Sequence, residues 1–173
     1  MRRTRPWLAL AAMLLAGCGD STGTSGVILL QDNCNPATFN AGMGAGTCQH
    51  SSTLPGLTLE DFIATLQAER SVAAWNIEPG TISVAEGTTF SLYNTGGETH
   101  TYTEVAEFGG GAIPLLNQLS GNPVVAPECV DGLLYNASTV RPGEIAPHAF
   151  RGKGTWKYQC CVHPWMRQTV TVH

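Results

Sequence analysis

The stretch that most restricts this chain lies close to its C-terminus: Tyr158-Gln159-Cys160-Cys161-Val162-His163-Pro164-Trp165-Met166. It connects two segments, Thr155 to Cys160 and Thr169 to Val172, that alternate apolar and polar residues with the period of a half-buried strand. Within it a thiol (Cys160), an imidazole (His163) and a thioether (Met166) recur at intervals of three. One short loop between strands can therefore gather three soft or borderline ligands around a single ion. Alternation also separates the two adjacent cysteines. Trp156, Tyr158 and Cys160 share one face of the strand, and Lys157, Gln159 and Cys161 share the other. The aromatic face is the one a core takes, so Cys160 points inward as the thiolate ligand and Cys161 points outward.

The pattern ahead of this loop is also that of strands. Ile82-Ser83-Val84 and Thr89-Phe90-Ser91-Leu92-Tyr93 alternate about a Glu86-Gly87 turn, Thr99 to Val105 alternates again, and Glu144 to Phe150 follows Pro142-Gly143. Short alternating strands with Gly/Pro turns predict an all-β sandwich from Trp75 to the end of the chain, 75–173. A Gly-, Pro- and Asn-rich stretch at about 106–140 interrupts the rhythm. It reads as an insertion that needs a pin to stay ordered, and Cys129 is the pin available.

Residues 27–74 form an N-terminal extension: an irregular loop carrying Cys34 and Cys48, then one helix over 58–70. Thr58 is an N-cap with Asp61 at the third helical position, and Leu59, Phe62, Ile63 and Leu66 share a face. That helix is expected to pack on the domain and do nothing else.

The start of the chain reads as an export signal. Arg2, Arg3 and Arg5 precede an apolar run from Leu8 to Leu15 that is too short to span a bilayer. Leu15-Ala16-Gly17-Cys18 then has the form of a bacterial lipobox, with 1–17 removed and Cys18 lipidated; an ordinary signal peptide cleaved nearby is the alternative. Residues 18–26, rich in Ser, Thr and Gly, are expected to tether the domain to the periplasmic side of a membrane or to the cell surface. Loss of the signal leaves six basic residues against thirteen acidic ones, a formal charge of −7. That balance argues against nucleic acid as a partner.

Export makes the cysteines readable as disulfides. With Cys18 set aside for lipid and Cys160 for metal, four remain, and position favours Cys34–Cys48 and Cys129–Cys161 over the two other pairings that four cysteines allow.

Two imidazoles, a thiolate and a weak axial thioether are the donor set of a blue-copper electron-transfer site. The loop supplies one imidazole, and His100 in Asn94-Thr95-Gly96-Gly97-Glu98-Thr99-His100 is placed to supply the other. His50, His148 and His173 are not assigned to metal, and Glu98 and Glu104 are expected to be solvated. Structural zinc prefers two Cys/His pairs, of which no second exists, and the Cys-x-x-Cys-His of haem attachment is absent.

The Tyr-x-Cys-x-x-His-Pro-x-Met loop, Tyr158 to Met166, resembles the metal loop of the cupredoxins, the type 1 blue-copper proteins, in its short amicyanin-like form. Pro79, Val84-x-x-Gly87 and Asn94 six residues before His100 resemble the plastocyanin and amicyanin arrangement upstream. The extension from 19 to 74 matches no family pattern. The resemblance implies a Greek-key β-sandwich with one copper at its end, bound by His100, Cys160, His163 and, axially, Met166. It also implies that His163 reaches the surface through an apolar rim with Pro164 and Trp165, where donor and acceptor proteins dock briefly. Two residues depart from the family. Thr101 stands where an Asn commonly ties the ligand loops together, and Cys161 stands where Thr or Ser is common.

The expected function is one-electron transfer outside the cytoplasm, without enzymatic turnover. The alternative is a copper module for storage, delivery or sensing, against which stands the scarcity of methionine: Met43 alone lies outside the signal and the site.

Overall fold

The computed structural model describes residues 24–173; the signal segment 1–17, Cys18 and the tether up to residue 23 lie outside the described residues. Strands β1 (Thr24–Gln31), β2 (Asn76–Glu78), β4 (Thr89–Asn94) and β8 (Ile145–Ala149) form one sheet, in the order β2-β1-β4-β8. Strands β3 (Thr81–Val84), β6 (Thr103–Val105), β9 (Gly154–Gln159) and β10 (Arg167–Val172) form the other, in the order β3-β10-β9-β6. A short pair, β5 (His100–Thr101) with β7 (Thr139–Val140), closes one end. The chain crosses repeatedly between the sheets, as in a Greek-key sandwich. Ile28, Leu30, Leu92, Phe150, Tyr158 and Val170 fill the space between them.

The stretch read as Thr99 to Val105 is two strands, because it changes partner at Tyr102. His100 and Thr101 pair with β7, Thr103 to Val105 pair with β9, and the Tyr102 amide donates to Ser138 O at 2.8 Å.

The largest difference from expectation is β1. Thr24 to Gly26 is not tether, and the residues after it are not loop. The strand lies inside its sheet, parallel to β4 with Ile28 opposite Leu92, and antiparallel to β2. Val27-Ile28-Leu29-Leu30 is a continuous apolar run with no alternation in the sequence, so a period of two does not reveal it. Alternation exists only in the burial: Ile28, Leu30, Asp32 and Cys34 all point inward. The extension is therefore part of the sandwich.

Helix α1 (Pro36–Met43), absent from the sequence expectations, starts with Asn35 accepting from the Thr38 amide and proline at its first position. Helix α2 (Leu59–Glu69) starts as expected, with Thr58 accepting from the Asp61 amide, and buries Phe62 and Leu66. The insertion carries α3 (Pro114–Leu119), a 3-10 turn (Pro127–Cys129) and α4 (Gly132–Ala137). Both expected disulfides, Cys34–Cys48 and Cys129–Cys161, are present.

Cys161 does leave β9 on the side away from the main core, but that side is not solvent. The insertion covers it, and Cys161, Cys129, Val105 and Ala126 make a second small core. Gln159, on the same face, is fully buried and exchanges hydrogen bonds with Gly109.

Candidate metal centre

His100 opens β5, while Cys160, His163 and Met166 come from the β9–β10 connection. That loop is drawn tight by its own backbone: the Met166 amide donates to His163 O at 2.9 Å, and the Cys160 amide to Met166 O at 3.0 Å. Cys160 Sγ lies 3.8 Å from Nδ1 of His100 and 3.8 Å from Nδ1 of His163. One donor atom from each of these three residues falls within 4.8 Å of the others. All four residues, Met166 included, are at most 2% exposed. Cys160 is the free cysteine among the described residues.

The electrostatics suit a thiolate. Burial pushes the Cys160 thiol up, but hydrogen bonds and charge from His100 and His163 outweigh it and hold the group well below the usual thiol range. The Thr101 amide adds a hydrogen bond to Sγ at 3.5 Å. A buried thiolate and two imidazole Nδ1 atoms, with the buried thioether residue Met166 in the same loop as the thiolate, fit copper, whose two oxidation states accept this soft and borderline mixture.

Thr101 does the tying that its identity left in question. Its Oγ1 accepts from the Cys161 amide at 2.7 Å, joining the His100 strand to the Cys160 loop, and the Thr103 hydroxyl donates to it at 2.9 Å. Asn94 organises the other side of the loop. Its amide nitrogen donates to Glu98 O at 2.8 Å and Val140 O at 2.9 Å, and its oxygen accepts from the Gly96 amide. Glycines are required next to it: a Cβ on Gly96 would lie 1.9 Å from Asp32 Oδ2, and one on Gly97 1.9 Å from His50 O.

Two acidic residues at the site escaped the sequence reading. Asp32, 1% exposed, accepts from His100 Nε2 at 2.9 Å. It accepts also from the amides of Cys34, Gly97 and Glu98. Burial works against its charge, yet the His100 ring and these amides pull its carboxyl down to about 2. His100 rises to about 10: burial disfavours its charge, but Asp32 and the Cys160 thiolate together overcome that. The usable signal was register, since Asp32 is the next inward position after Ile28 and Leu30.

Glu98, expected to be solvated, is 7% exposed. It accepts from Trp75 Nε1 at 2.6 Å and faces His163 Nε2 at 3.5 Å, and burial raises its pKa. Asp32, Glu98 and the sulfur of Cys34 also lie close together, but that sulfur is bound to Cys48 and is no ligand. Glu104 is exposed, as expected.

His163 does not reach the surface. It is 2% exposed, with ring centroids of Trp165 at 5.5 Å, Trp75 at 6.4 Å and Phe62 at 6.5 Å. Pro164 is buried too, and Trp165 is half-buried. Helix α2, expected to be a bystander, supplies Phe62 to this cover. An apolar cleft of about 220 Å³ between Phe39, Leu59, Phe62 and Leu116 leads in to His163 and Glu98. Of the unassigned histidines, His50 and His173 are exposed, and His148 is half-buried against Tyr102, Phe150 and Tyr158.

No family model matches the chain, and no curated protein matches it. Solved structures do resemble it. A purple cupredoxin from Nitrosopumilus maritimus is 16% identical over 86% of this chain and 99% of that one, with a TM-score of 0.43. A mutant of amicyanin in its reduced Cu(I) form at pH 4 is 21% identical over 60% of this chain and 78% of that one, with a TM-score of 0.38. With two four-stranded sheets and the donor atoms of His100, Cys160 and His163 gathered within 4.8 Å of one another, this chain has a cupredoxin-like fold.

Proposed function

We propose that this protein holds one copper ion in a type 1 site and carries single electrons outside the cytoplasm. The observation that carries the proposal is the convergence of His100, Cys160 and His163 donor atoms within 4.8 Å of one another, with buried Met166 in the same loop as Cys160 and His163. Copper, when bound, supplies the Cu(II)/Cu(I) couple. The chain supplies the rest. Thiolate and thioether favour the cuprous state, and the imidazoles suit both states. The Thr101 and Asn94 hydrogen bonds hold both ligand loops still, so little rearrangement accompanies the electron. A carrier turns over no substrate, and no catalytic residue is assigned.

Export and anchoring through Cys18 belong to the same proposal, and the two disulfides suit an oxidising compartment. Donor and acceptor proteins would dock on the face that carries Trp165 and the apolar cleft leading to His163. Met43, Ile113 and Leu115 are exposed at that cleft by 57%, 37% and 55%. An apolar rim of this kind suits brief contact.

The test is spectroscopic. The full chain is exported into an oxidising compartment, Cu(II) is added, and visible and EPR spectra are recorded. An intense thiolate-to-copper band, lost in Cys160→Ser and kept in Cys161→Ser, supports the site. A colourless protein with copper bound elsewhere refutes it. Rapid reversible one-electron reduction then separates a carrier from a storage or delivery module.

A further inference from the structure

We propose that Asp32 is a positioning residue of this centre, holding His100 as an Nδ1 donor and lowering the reduction potential of the copper it binds. The inference rests on the copper reading above and extends it to a residue outside the ligand loops, in the segment that follows β1.

The geometry is specific. A neutral imidazole carries its proton on one ring nitrogen, and an ionised carboxylate can only accept. With a metal at Nδ1 the ring is neutral, and the 2.9 Å contact to Asp32 Oδ2 then keeps its proton on Nε2 and leaves the Nδ1 lone pair on the side facing Cys160 Sγ, 3.8 Å away. Both side chains are fully buried, so water does not compete for the contact. The carboxylate is itself immobilised. Oδ1 takes the amides of Cys34 and Gly97, and Oδ2 takes the Glu98 amide together with His100. The Cys34–Cys48 disulfide begins two residues further on, and the Gln49 amide donates to Gly97 O, fastening the same loop from outside.

Carboxylate partners of this kind orient ligand histidines and make them more basic donors. The charge acts in the same direction. A fixed buried anion attracts the doubly charged metal more than the singly charged one, and low local dielectric keeps the difference large. Cu(II) is therefore favoured over Cu(I), and the potential falls. Glu98 stands toward His163 in a similar way, but its oxygen, bound to the Trp75 indole at 2.6 Å, lies 3.5 Å from His163, beyond the 2.9 Å at which Asp32 holds His100. Asp32 is the committed partner.

The experiment compares copper-loaded full-length wild type, Asp32→Asn and Asp32→Glu. In Asp32→Asn the Cys160 charge-transfer band persists and the Cu(I)/Cu(II) ratio at fixed reductant rises at least tenfold, a potential increase of about 59 mV or more for one electron. Asp32→Glu, which keeps the charge, recovers part of that shift. A folded, blue Asp32→Asn protein with unchanged potential overturns the inference while leaving the copper site intact. A wild type with no Cys160-dependent band overturns the copper site itself.

Asparagine offers one acceptor oxygen where Asp32 uses two, so a second measurement covers the case in which the variant does not fold. In the diamagnetic Cu(I) wild type, 15N-edited NMR shows a slowly exchanging proton on His100 Nε2. A proton on Nδ1 instead refutes the assignment.

Discussion

Thr101→Val removes one hydroxyl and nearly nothing else, which makes its cost calculable. Thr101 is fully buried, and its Oγ1 is the acceptor the structure gives the Cys161 amide, at 2.7 Å. The Thr103 hydroxyl also leans on it, but keeps Ser138 Oγ at 2.7 Å when Thr101 changes. Valine thus leaves a single buried N–H without a partner, a loss of about 1–3 kcal/mol. For a domain of this size each kcal/mol moves the melting temperature by about 2–4 °C, so a central cost near 2 kcal/mol lowers it by about 4–8 °C. Thr101→Ser keeps the oxygen and recovers most of the loss. The assay is thermal unfolding of the metal-free protein by circular dichroism, since bound copper would add its own stabilisation. A valine variant within about 0.5 kcal/mol of wild type, with serine no better, refutes the idea that this hydroxyl joins the ligand loops.

Two further outcomes follow from the cover and the charges. Phe62 is 3% exposed against Trp75, Phe39 and Trp165, so Phe62→Ala destabilises by about 3–5 kcal/mol. It also uncovers His163, and stopped-flow reduction of the copper protein by a small water-soluble reductant accelerates; an unchanged rate means that α2 does not shield the centre. In the metal-free protein, Asp32 binds fewer protons folded than unfolded between pH 3.8 and about 2, so stability falls with acid there. His100, raised from 6.5 to about 10, is fully stabilising below pH 6.5 and loses its contribution toward pH 10, whereas Cys160, lowered from 9.0, contributes fully only above pH 9. Between pH 6.5 and 9 the two slopes therefore oppose each other. Cys160→Ser removes the rising slope and leaves Asp32 to hold His100 up, so chemical denaturation of that variant shows stability falling more with pH above 6.5 than in wild type; identical pH profiles refute the pairing.

Much of the fold was legible because it is local. Alternation marked β3, β4, β8, β9 and β10, and a capping residue with an apolar face marked α2 to within a residue at each end. Position along the chain also suggested the two disulfide pairs, while leaving the other two pairings open until the fold brought the sulfurs together. Strand β1 was not legible, because a central strand with an apolar run has no period to detect. Its omission hid Asp32, whose inward register is visible only once Ile28 and Leu30 are known to face the core. Glu98 was misjudged for a related reason: a carboxylate next to two glycines looks solvated until the Trp75 indole and α2 close over it.

The sequence by itself determined which donors exist and that one loop brings three of them together. Residues spaced by three in a short connection stay near one another whatever surrounds them, and strand alternation separates Cys160 from Cys161. Only the tertiary structure decided what those donors experience. The Asp32 carboxylate reaches His100 across 68 residues, and Phe62 covers His163 from a helix about 100 residues earlier in the chain. Burial, proton position and charge at the centre depend on which distant segments fold over it, and no spacing within the loop encodes that.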